Sequence, residues 1–345
     1  MTEATSHEGR KEAQLHSCLS NDIRGHGITT GFERYRFVHQ ALPELDWREI
    51  DLGMVLLGKP LRAPVLISAM TGGCRLGAEI NRNLATAAQR LGLGMGVGSQ
   101  RAAILDPGLI PSYQVRQYAP DILLLGNLGA VQLNKGFGLS QCRQAIEMIS
   151  ADGLCLHLNG LQELQQASGD HDCRGILEKI GIICDRLGSP VVVKEVGWGM
   201  SGDVAASLAS AGVSALDVAG AGGSSWYVAE RLAAGETRAE IIESPFASWG
   251  IPTVESLSQT TESTSSLPII ASGGIRNGVD AAKAIALGAS AVAVAHPLLR
   301  PATESADAVV AWLERFILEL RTAMFCIGAA DLKSLRQTRH LVEAA

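Results

Sequence analysis

Residues 268–278 read PIIASGGIRNG, a short apolar run that leads into a glycine-rich turn, and the predicted fold follows from repeats of this unit. The run is apolar at every position instead of alternating, as expected of a strand that is buried on both faces of a parallel sheet. An alanine-rich, helix-like stretch follows over Gly278 to Leu287, and the next apolar run begins at Ala291. The segment therefore predicts a strand, a turn, a helix and a second parallel strand.

Similar apolar runs recur eight times along the chain, and most are separated by roughly 20 to 35 residues, enough for one crossover helix. They are Ala63–Ala69, Gly94–Gly98, Ile122–Gly126, Gly153–Leu158, Val191–Glu195, Ala215–Val218, Pro268–Ala271 and Ala291–Ala295. Eight parallel strands that alternate with helices are the composition of a TIM barrel. We therefore predict an α/β fold, a single (β/α)8 TIM barrel with an N-terminal arm and C-terminal helices.

The domain boundaries follow from the first and last runs. Residues 1–60 are predicted to form an N-terminal arm that contributes to the substrate site, 61–300 the barrel, and 301–345 C-terminal helices packed on it. The connection from Ser224 to Leu267 is longer than the others, so we predict a lid over the barrel mouth at 226–253.

Composition excludes several classes of protein. The chain has 345 residues, 47% of them hydrophobic, and a formal net charge of −6, so no global basic field exists to bind nucleic acid or an anionic membrane. Its 7 cysteines are scattered without a Cys-x-x-Cys pair, which disfavours a disulfide framework and a structural zinc site. The polar N-terminal stretch and the absence of an apolar run of about 18 residues predict a cytoplasmic protein.

Polar and glycine-rich residues follow every predicted strand, at the barrel face where active sites lie. In chain order these segments are SAMTGG (68–73), GSQR (98–101), GNLGA (126–130), HLNGLQE (157–163), KEVGWG (194–199), DVAGAGGSSW (217–226), SGGIRNG (272–278) and AHP (295–297). Glycines after strands 6 and 7 would let backbone N–H groups approach a phosphate at the start of the next helix. Each turn taken alone is more typical of a tight connection, but two adjacent turns, with a third polar turn after strand 8, favour a phosphate site.

Lys194 ends an otherwise apolar strand, where a charge needs a partner or a ligand. Its ammonium either pairs with Glu195 or another carboxylate, or lies beside a bound anion such as the N1/O2 edge of a reduced flavin. Asn127, at the end of strand 3, either hydrogen-bonds a flat heterocycle or caps the next helix.

Four polar residues crowd the end of strand 4: His157, Asn159, Gln162 and Glu163. As core residues each would need a buried partner, so they indicate a binding site. Glu163 would supply one oxygen to Mg²⁺, with water and substrate phosphates as the other ligands; a solvated surface glutamate is the alternative. The dibasic pair Arg10-Lys11 is either solvated or part of the same anion site.

The motifs taken together resemble the type 2 isopentenyl-diphosphate isomerases over nearly the whole chain, from Arg10 to Leu332. The matching segments are the Arg-Lys pair, SAMTGG, GSQR, NLGA, HLNxLQE, VKEVGxG, GGxSW, WGIP, SGGIRxGxDxAKAxALGA and MFxxG. The resemblance implies a (β/α)8 flavoprotein with reduced FMN, Mg²⁺ and NADPH as reductant. It also implies a small prenyl diphosphate as substrate and a homo-oligomer, a tetramer or larger.

The resemblance also assigns residues to roles. FMN would be bound by Ala69, Met70, Thr71, Ser99, Asn127, Lys194, Ser224, Gly274, Ile275, Arg276, Ala295 and His296. The substrate would be bound by Arg10, Lys11, Ser99, Gln100, Arg101, His157, Asn159 and Gln162. Gln162, Lys194 and His157 would be catalytic, and Glu163 would bind the metal.

The chain departs from the family pattern at four positions. Gln14 stands where the pattern RKxxH has histidine, Gly160 where HLNPLQE has proline, Ala219 where a serine is usual and Ser224 where a threonine is usual. These departures leave open whether the substrate is isopentenyl diphosphate or a longer prenyl diphosphate.

The expected reaction is a 1,3-allylic proton shift from isopentenyl to dimethylallyl diphosphate, with reduced flavin as acid and base. Three alternatives are an FMN-dependent oxidoreductase of the α-hydroxy-acid oxidase type, a cyclase that protonates a longer prenyl diphosphate, and a non-catalytic binder. The oxidoreductase would need a His-x-x-Arg motif near strands 7 and 8, and the sequence has none there.

Overall fold

The structure is a computed structural model that describes residues 7–166, 169–264 and 266–344; the side chains of His7 and Arg10 lie outside its described part. Its centre is a closed barrel of eight parallel strands in which each strand pairs with the next along the chain and the last pairs with the first. The strands are β1 (Val65–Ile67), β2 (Gly94–Gly96), β3 (Leu124–Gly129), β4 (Gly153–His157), β5 (Val191–Lys194), β6 (Ala215–Asp217), β7 (Ile269–Ala271) and β8 (Ala291–Val294). Seven of the predicted runs contain their whole strand, and Ile122–Gly126 contains the first half of β3, so the predicted barrel is confirmed.

The apolar character of the strands follows from burial on two sides. Residues that point outward, such as Val65 and Val193, are fully buried beneath the helices. Residues that point inward, such as Leu125 and Val192, fill the barrel in a separate cluster. Leu56 and Leu61 of the hairpin Met54–Leu56/Lys59–Leu61 join the inner cluster, so this hairpin closes one end of the barrel.

Helices surround the barrel. In chain order they are α1 (His7–Ser20), α2 (Arg75–Leu91), α3 (Arg101–Leu105), α4 (Leu139–Glu147), α5 (Gly160–Gln165), α6 (Ile176–Arg186), α7 (Gly202–Ser210), α8 (Trp226–Ala233), α9 (Arg238–Ile242), α10 (Thr253–Ser263), α11 (Gly278–Ala286), α12 (His296–Glu304), α13 (Ala306–Cys326) and α14 (Leu332–Arg336). The helix predicted from Gly278 to Leu287 matches α11. Among the described residues, none of these helices combines the length and apolarity that a bilayer crossing needs.

The N-terminal arm contacts the rest of the chain at two places. Strand Tyr35–Phe37 pairs antiparallel with Leu341–Glu343 near the C-terminus. Helix α1 packs on α8 and α12, and its last carbonyls are capped by α12: the His296 ring lies 3.0 Å from Cys18 O, and Arg300 donates to Leu19 O at 2.8 Å. Cations at a helix C-terminus offset its partial negative charge, and α1 has none of its own in its last turn.

The segment predicted as a lid holds α8, α9 and a 3-10 helix at Pro245–Ser248. Its closing role, like the division into three domains, stays a prediction.

Candidate active site with two cavities at the barrel face

A cavity of about 910 Å³, the large cavity, lies at the C-terminal ends of β1 and β5 to β8 beneath helix α1. Its walls include most of the residues predicted to bind FMN: Ala69, Met70, Lys194, Ser224, Gly274, Ile275, Arg276, Ala295 and His296. Leu15, Cys18 and Ile23 of the arm cover it from above.

The two glycine-rich turns after β6 and β7 form one wall of the large cavity by direct backbone contact. A Cβ on Gly223 would lie 2.3 Å from the amide nitrogen of Gly274, and one on Gly273 would lie 2.1 Å from the carbonyl oxygen of Gly220. Only glycine fits at these positions, so the wall presents backbone groups instead of side chains. The two turns predicted to bind phosphate are thus brought together.

Arg276 lies at the rim of this wall. Partial burial and the neighbouring Arg24 lower the pKa of its guanidinium. Arg24 pairs with Asp22, whereas Arg276 forms no ion pair within the described part of the chain. An anion bound between the glycine turns would relieve this uncompensated positive charge.

Lys194 is buried at the inner wall of the large cavity, where its Nζ donates to the carbonyl oxygen of Glu195 at 2.5 Å. The carboxylate of Glu195 turns away and accepts the N–H groups of Val196, Gly197 and Trp198 at 2.6 to 2.7 Å. The described contacts therefore include no Lys194–Glu195 ion pair, which was one of the predicted alternatives. Its ammonium charge remains available to a ligand.

A second cavity of about 550 Å³, the side cavity, lies beside the ends of β2 to β4 and α5. It brings together most of the residues predicted to bind substrate and metal: Lys11, Ser99, Arg101, His157, Asn159, Gln162 and Glu163. Gln14, Ala102, Gln132 and Gln166 complete its walls. Because His157 and Lys194 are paired across β4 and β5, the two cavities adjoin at this strand pair.

Glu163 is buried, so the alternative of a solvated surface residue is wrong. Its carboxylate accepts the amide of Asn159 at 2.9 Å and the N–H of Asp170 at 2.9 Å. The Oδ1 of Asn159 is buried without a hydrogen-bond partner. These oxygens are hard donors of the kind that suit Mg²⁺. Within the described ranges no cluster of three or more His, Cys, Asp or Glu could hold a metal alone, so a bound ion would take its remaining ligands from water or substrate.

The positive charges of the side cavity are partly compensated. Arg101 lies 3.3 Å from the carboxylate of Asp170, which Lys135 also approaches to 3.3 Å. Asp170 is buried, and sequence reasoning did not single it out. An anionic ligand would compete with Asp170 for Arg101.

Glu230 on α8 is the most informative residue that the sequence analysis missed. Its Oε1 accepts three side-chain amides, from Gln14 at 2.8 Å, Gln162 at 2.7 Å and Gln166 at 2.8 Å. The Oε1 of Gln162 in turn accepts from Asn159 at 3.2 Å, so both ends of its amide are fixed. A signal for Glu230 was present in the sequence. It lies four residues after Trp226, so the two share one face of α8, and Glu230 is buried there.

His157 is held as a neutral ring. Burial, then the charges of Lys194 and Lys11, lower its pKa to about 3. Its Nδ1 lies 2.8 Å from the Oδ1 of Asn127, a contact that fits a protonated Nδ1. Asn127 is buried and lines neither cavity, and its Oδ1 orients the ring of His157. Its predicted contact with a flat heterocycle stays a prediction.

Some predicted residues do not reach the expected cavity. Gln100 is fully buried, where its amide donates to Ala145 O and accepts from the N–H of Asn127, so it braces β3 against α4 and lines neither cavity. Thr71 is buried with its hydroxyl unpaired, outside the walls of both cavities. Ser99 lines the side cavity, not the large one. The Arg10 side chain lies outside the described residues.

Comparison with known proteins gives two levels of similarity. The sequence model of the FMN-dependent dehydrogenase family matches residues 157–343. A protein of Synechococcus sp. named isopentenyl-diphosphate delta-isomerase is 50% identical over 328 residues, 95% of this chain and 94% of that one. One of Stutzerimonas stutzeri with the same name is 52% identical over 315 residues, 90% of each chain.

Solved structures share the fold at low identity. A chimera of (S)-mandelate dehydrogenase superposes with a TM-score of 0.67 at 18% identity and covers 98% of this chain and 99% of its own. A mandelate oxidase variant with (S)-mandelic acid gives a TM-score of 0.66 at 18% identity, over 96% and 94% of the two chains.

Proposed function

The chain belongs to the FMN-dependent dehydrogenase family and, within it, to the isopentenyl-diphosphate delta-isomerases, and from this premise we propose how its two cavities divide the work. The large cavity binds FMN and the side cavity binds the Mg²⁺ complex of isopentenyl diphosphate. The enzyme is an isomerase, and the proposed product is dimethylallyl diphosphate. The observation that carries the proposal is the adjacency of the two cavities across β4 and β5, with Lys194 in one and His157 in the other.

FMN fits the large cavity on three counts. The glycine wall offers backbone groups to a phosphate, and the apolar residues of α1 cover a flat ring system. The buried ammonium of Lys194 would stabilise negative charge on a reduced ring. Bound there in its reduced form, FMN supplies the acid and the base of the proton shift.

The side cavity holds the groups that a diphosphate needs. Lys11 and Arg101 would bind its oxygens, and Glu163 with the unpaired Oδ1 of Asn159 would bind Mg²⁺ between protein and substrate. Binding of the anion would release Arg101 from Asp170.

Protonation of an unactivated alkene needs a positioned acid and little water. Gln162, held by Glu230 and Asn159, would orient the carbon chain and assist the return of the proton together with the diphosphate. The neutral ring of His157 would act as a hydrogen-bonding group and not as a cation. Helices α1 and α8, linked through Gln14 and Glu230, would exclude water from the side cavity.

The oxidoreductase alternative gains no support from the solved neighbours, because a likeness at 18% identity concerns the fold alone. NADPH as reductant and assembly into a homo-oligomer stay predictions.

The test is a turnover assay in D₂O. Protein loaded with FMN, reduced with dithionite and supplied with Mg²⁺ should convert isopentenyl diphosphate to dimethylallyl diphosphate and incorporate deuterium. Gln162→Ala should lose at least about tenfold in kcat, a typical share for a positioned acid–base group. The control Gln117→Ala changes an exposed residue outside both cavities and should keep full activity. Tight FMN binding without product or exchange would reject the proposal.

A further inference from the structure

A third space lies inside the barrel, below the large cavity. It measures about 340 Å³ and is lined mainly by apolar and small residues such as Leu125, Val192 and Ala293. Two ionisable side chains of opposite charge also border it, Lys194 and Asp217. A buried charge in such surroundings is costly unless another charge or a ligand compensates it.

Lys194 borders both spaces, whereas Asp217 borders only the inner one. The two residues are direct register partners on β5 and β6. The ammonium of Lys194 therefore lies between a carboxylate on the inner side and the large cavity on the outer side. The described residues include no ion pair within 4 Å between Lys194 and Asp217. The ammonium of Lys194 therefore still faces the large cavity.

Asp217 is fixed by neighbours that keep its carboxylate in place. Its Oδ1 accepts from the hydroxyl of Ser272 at 2.5 Å and from the N–H of Ala219 at 3.2 Å. Burial raises its pKa, while Lys194 and Ser272 act in the opposite direction and favour the charged form. Ser272 also lines the large cavity, so this carboxylate is connected to the wall that would carry FMN.

We propose that Asp217 is a positioning residue that, with Ser272, sets the net charge which Lys194 presents to the large cavity. The carboxylate of Asp217 partly compensates the ammonium of Lys194 from the inner side. A ligand in the large cavity therefore interacts with less than a full positive charge. The consequence for the cofactor rests on the proposed binding of FMN. A reduced flavin carries more negative charge than an oxidised one, so Asp217 would weaken the preference of the site for the reduced form.

The first measurement needs no flavin. Lys194 in flavin-free protein is acetylated with acetic anhydride at pH 7, and the extent is quantified by mass spectrometry. Asp217→Asn keeps the shape and the acceptor for Ser272 but removes the negative charge that stabilises the ammonium, so the Lys194 amine should react at least about threefold faster. Asp185→Asn removes an exposed carboxylate on α6 and should leave the rate unchanged. Equal rates in both variants would overturn the proposal.

The second measurement compares dissociation constants of oxidised and reduced FMN. Asp217→Asn should favour reduced FMN about tenfold more than wild type does, which corresponds to about +30 mV for a two-electron couple. In a Lys194→Met background the same substitution should change nothing further, because Asp217 acts through Lys194; an undiminished effect there would contradict this.

The outcomes separate the two claims. Faster acetylation in a protein that binds no FMN would support the charge coupling and reject the proposed function. If Asp217→Asn fails to fold, Ser272→Ala serves instead: loss of the hydroxyl donor should raise acetylation in the same direction, and an unchanged rate would overturn the proposal.

Discussion

The two cavities adjoin across one pair of strands but are built by different means. The large cavity is formed mainly by backbone at the glycine turns and by small or apolar side chains, with Lys194, Arg276 and His296 as its charged or ionisable wall residues. The side cavity is formed by amides and charges, and its polar groups bind one another: Glu163 to Asn159, Asn159 to Gln162, and Gln162 to Glu230. Added side-chain bulk should therefore disrupt the large cavity most. The side cavity should be disrupted most by loss of a single hydrogen-bonding partner.

The largest expected effect comes from filling the glycine wall. Gly223→Ala would place a methyl 2.3 Å from the backbone nitrogen of Gly274, which cannot move without opening both turns. We expect the free energy of unfolding to fall by about 4 kcal/mol and FMN affinity to be lost, since clashes with backbone are among the most damaging changes. Denaturant titration and flavin fluorescence measure the two effects.

Gly160→Ala is the matched control, because a Cβ there meets nothing within 4 Å. It should leave stability unchanged or slightly raised. Equal damage from both substitutions would show that the wall does not depend on close backbone contact.

The next effect concerns the side cavity. Glu230→Gln keeps an acceptor oxygen but removes the charge that strengthens three amide hydrogen bonds, and it adds a buried NH2 group that needs a partner of its own. We expect a loss of about 3 kcal/mol in unfolding free energy and a fall in kcat, with FMN affinity unchanged. Glu243→Gln, at an exposed position, is the control. A loss of FMN affinity in Glu230→Gln would show that the cavities are not independent.

A smaller effect depends on pH. His157 has a pKa of about 3 in the folded protein, whereas a histidine in an unfolded chain titrates near 6.5. Between these values the unfolded chain binds more protons, so wild type should lose about 2 kcal/mol relative to His157→Asn as the pH falls from 7 to 5. Denaturation curves at several pH values measure this difference. A constant difference would mean that His157 titrates normally in the fold.

The smallest expected effect is at Ala219, whose φ of 37° is unfavourable for a residue with a side chain. Ala219→Gly should raise the unfolding free energy by up to about 1 kcal/mol as the strain is relieved. Ala221→Gly, at a buried neighbour without a positive φ, should lower it. The same sign for both substitutions would argue against strain at Ala219.

The difference between the cavities also explains what the sequence could predict. The barrel could be predicted from the sequence because strands buried on both faces are apolar throughout. The large cavity could be predicted because glycine turns mark close backbone contact. The side cavity was only partly accessible, since its connections join distant positions: Glu230 meets Gln162 across 68 residues through the packing of α8 on α5. Gln100 shows the converse case: it follows a strand, but its side chain hydrogen-bonds the backbone of neighbouring elements and lines neither cavity.

The most direct test of the division between the cavities is a crystal structure of the protein with FMN, Mg²⁺ and isopentenyl diphosphate. We predict the flavin in the large cavity against Lys194 and the glycine wall, and the diphosphate in the side cavity at Lys11 and Arg101 with the metal on Glu163. Flavin and diphosphate sharing the large cavity, with the side cavity unchanged, would contradict the account.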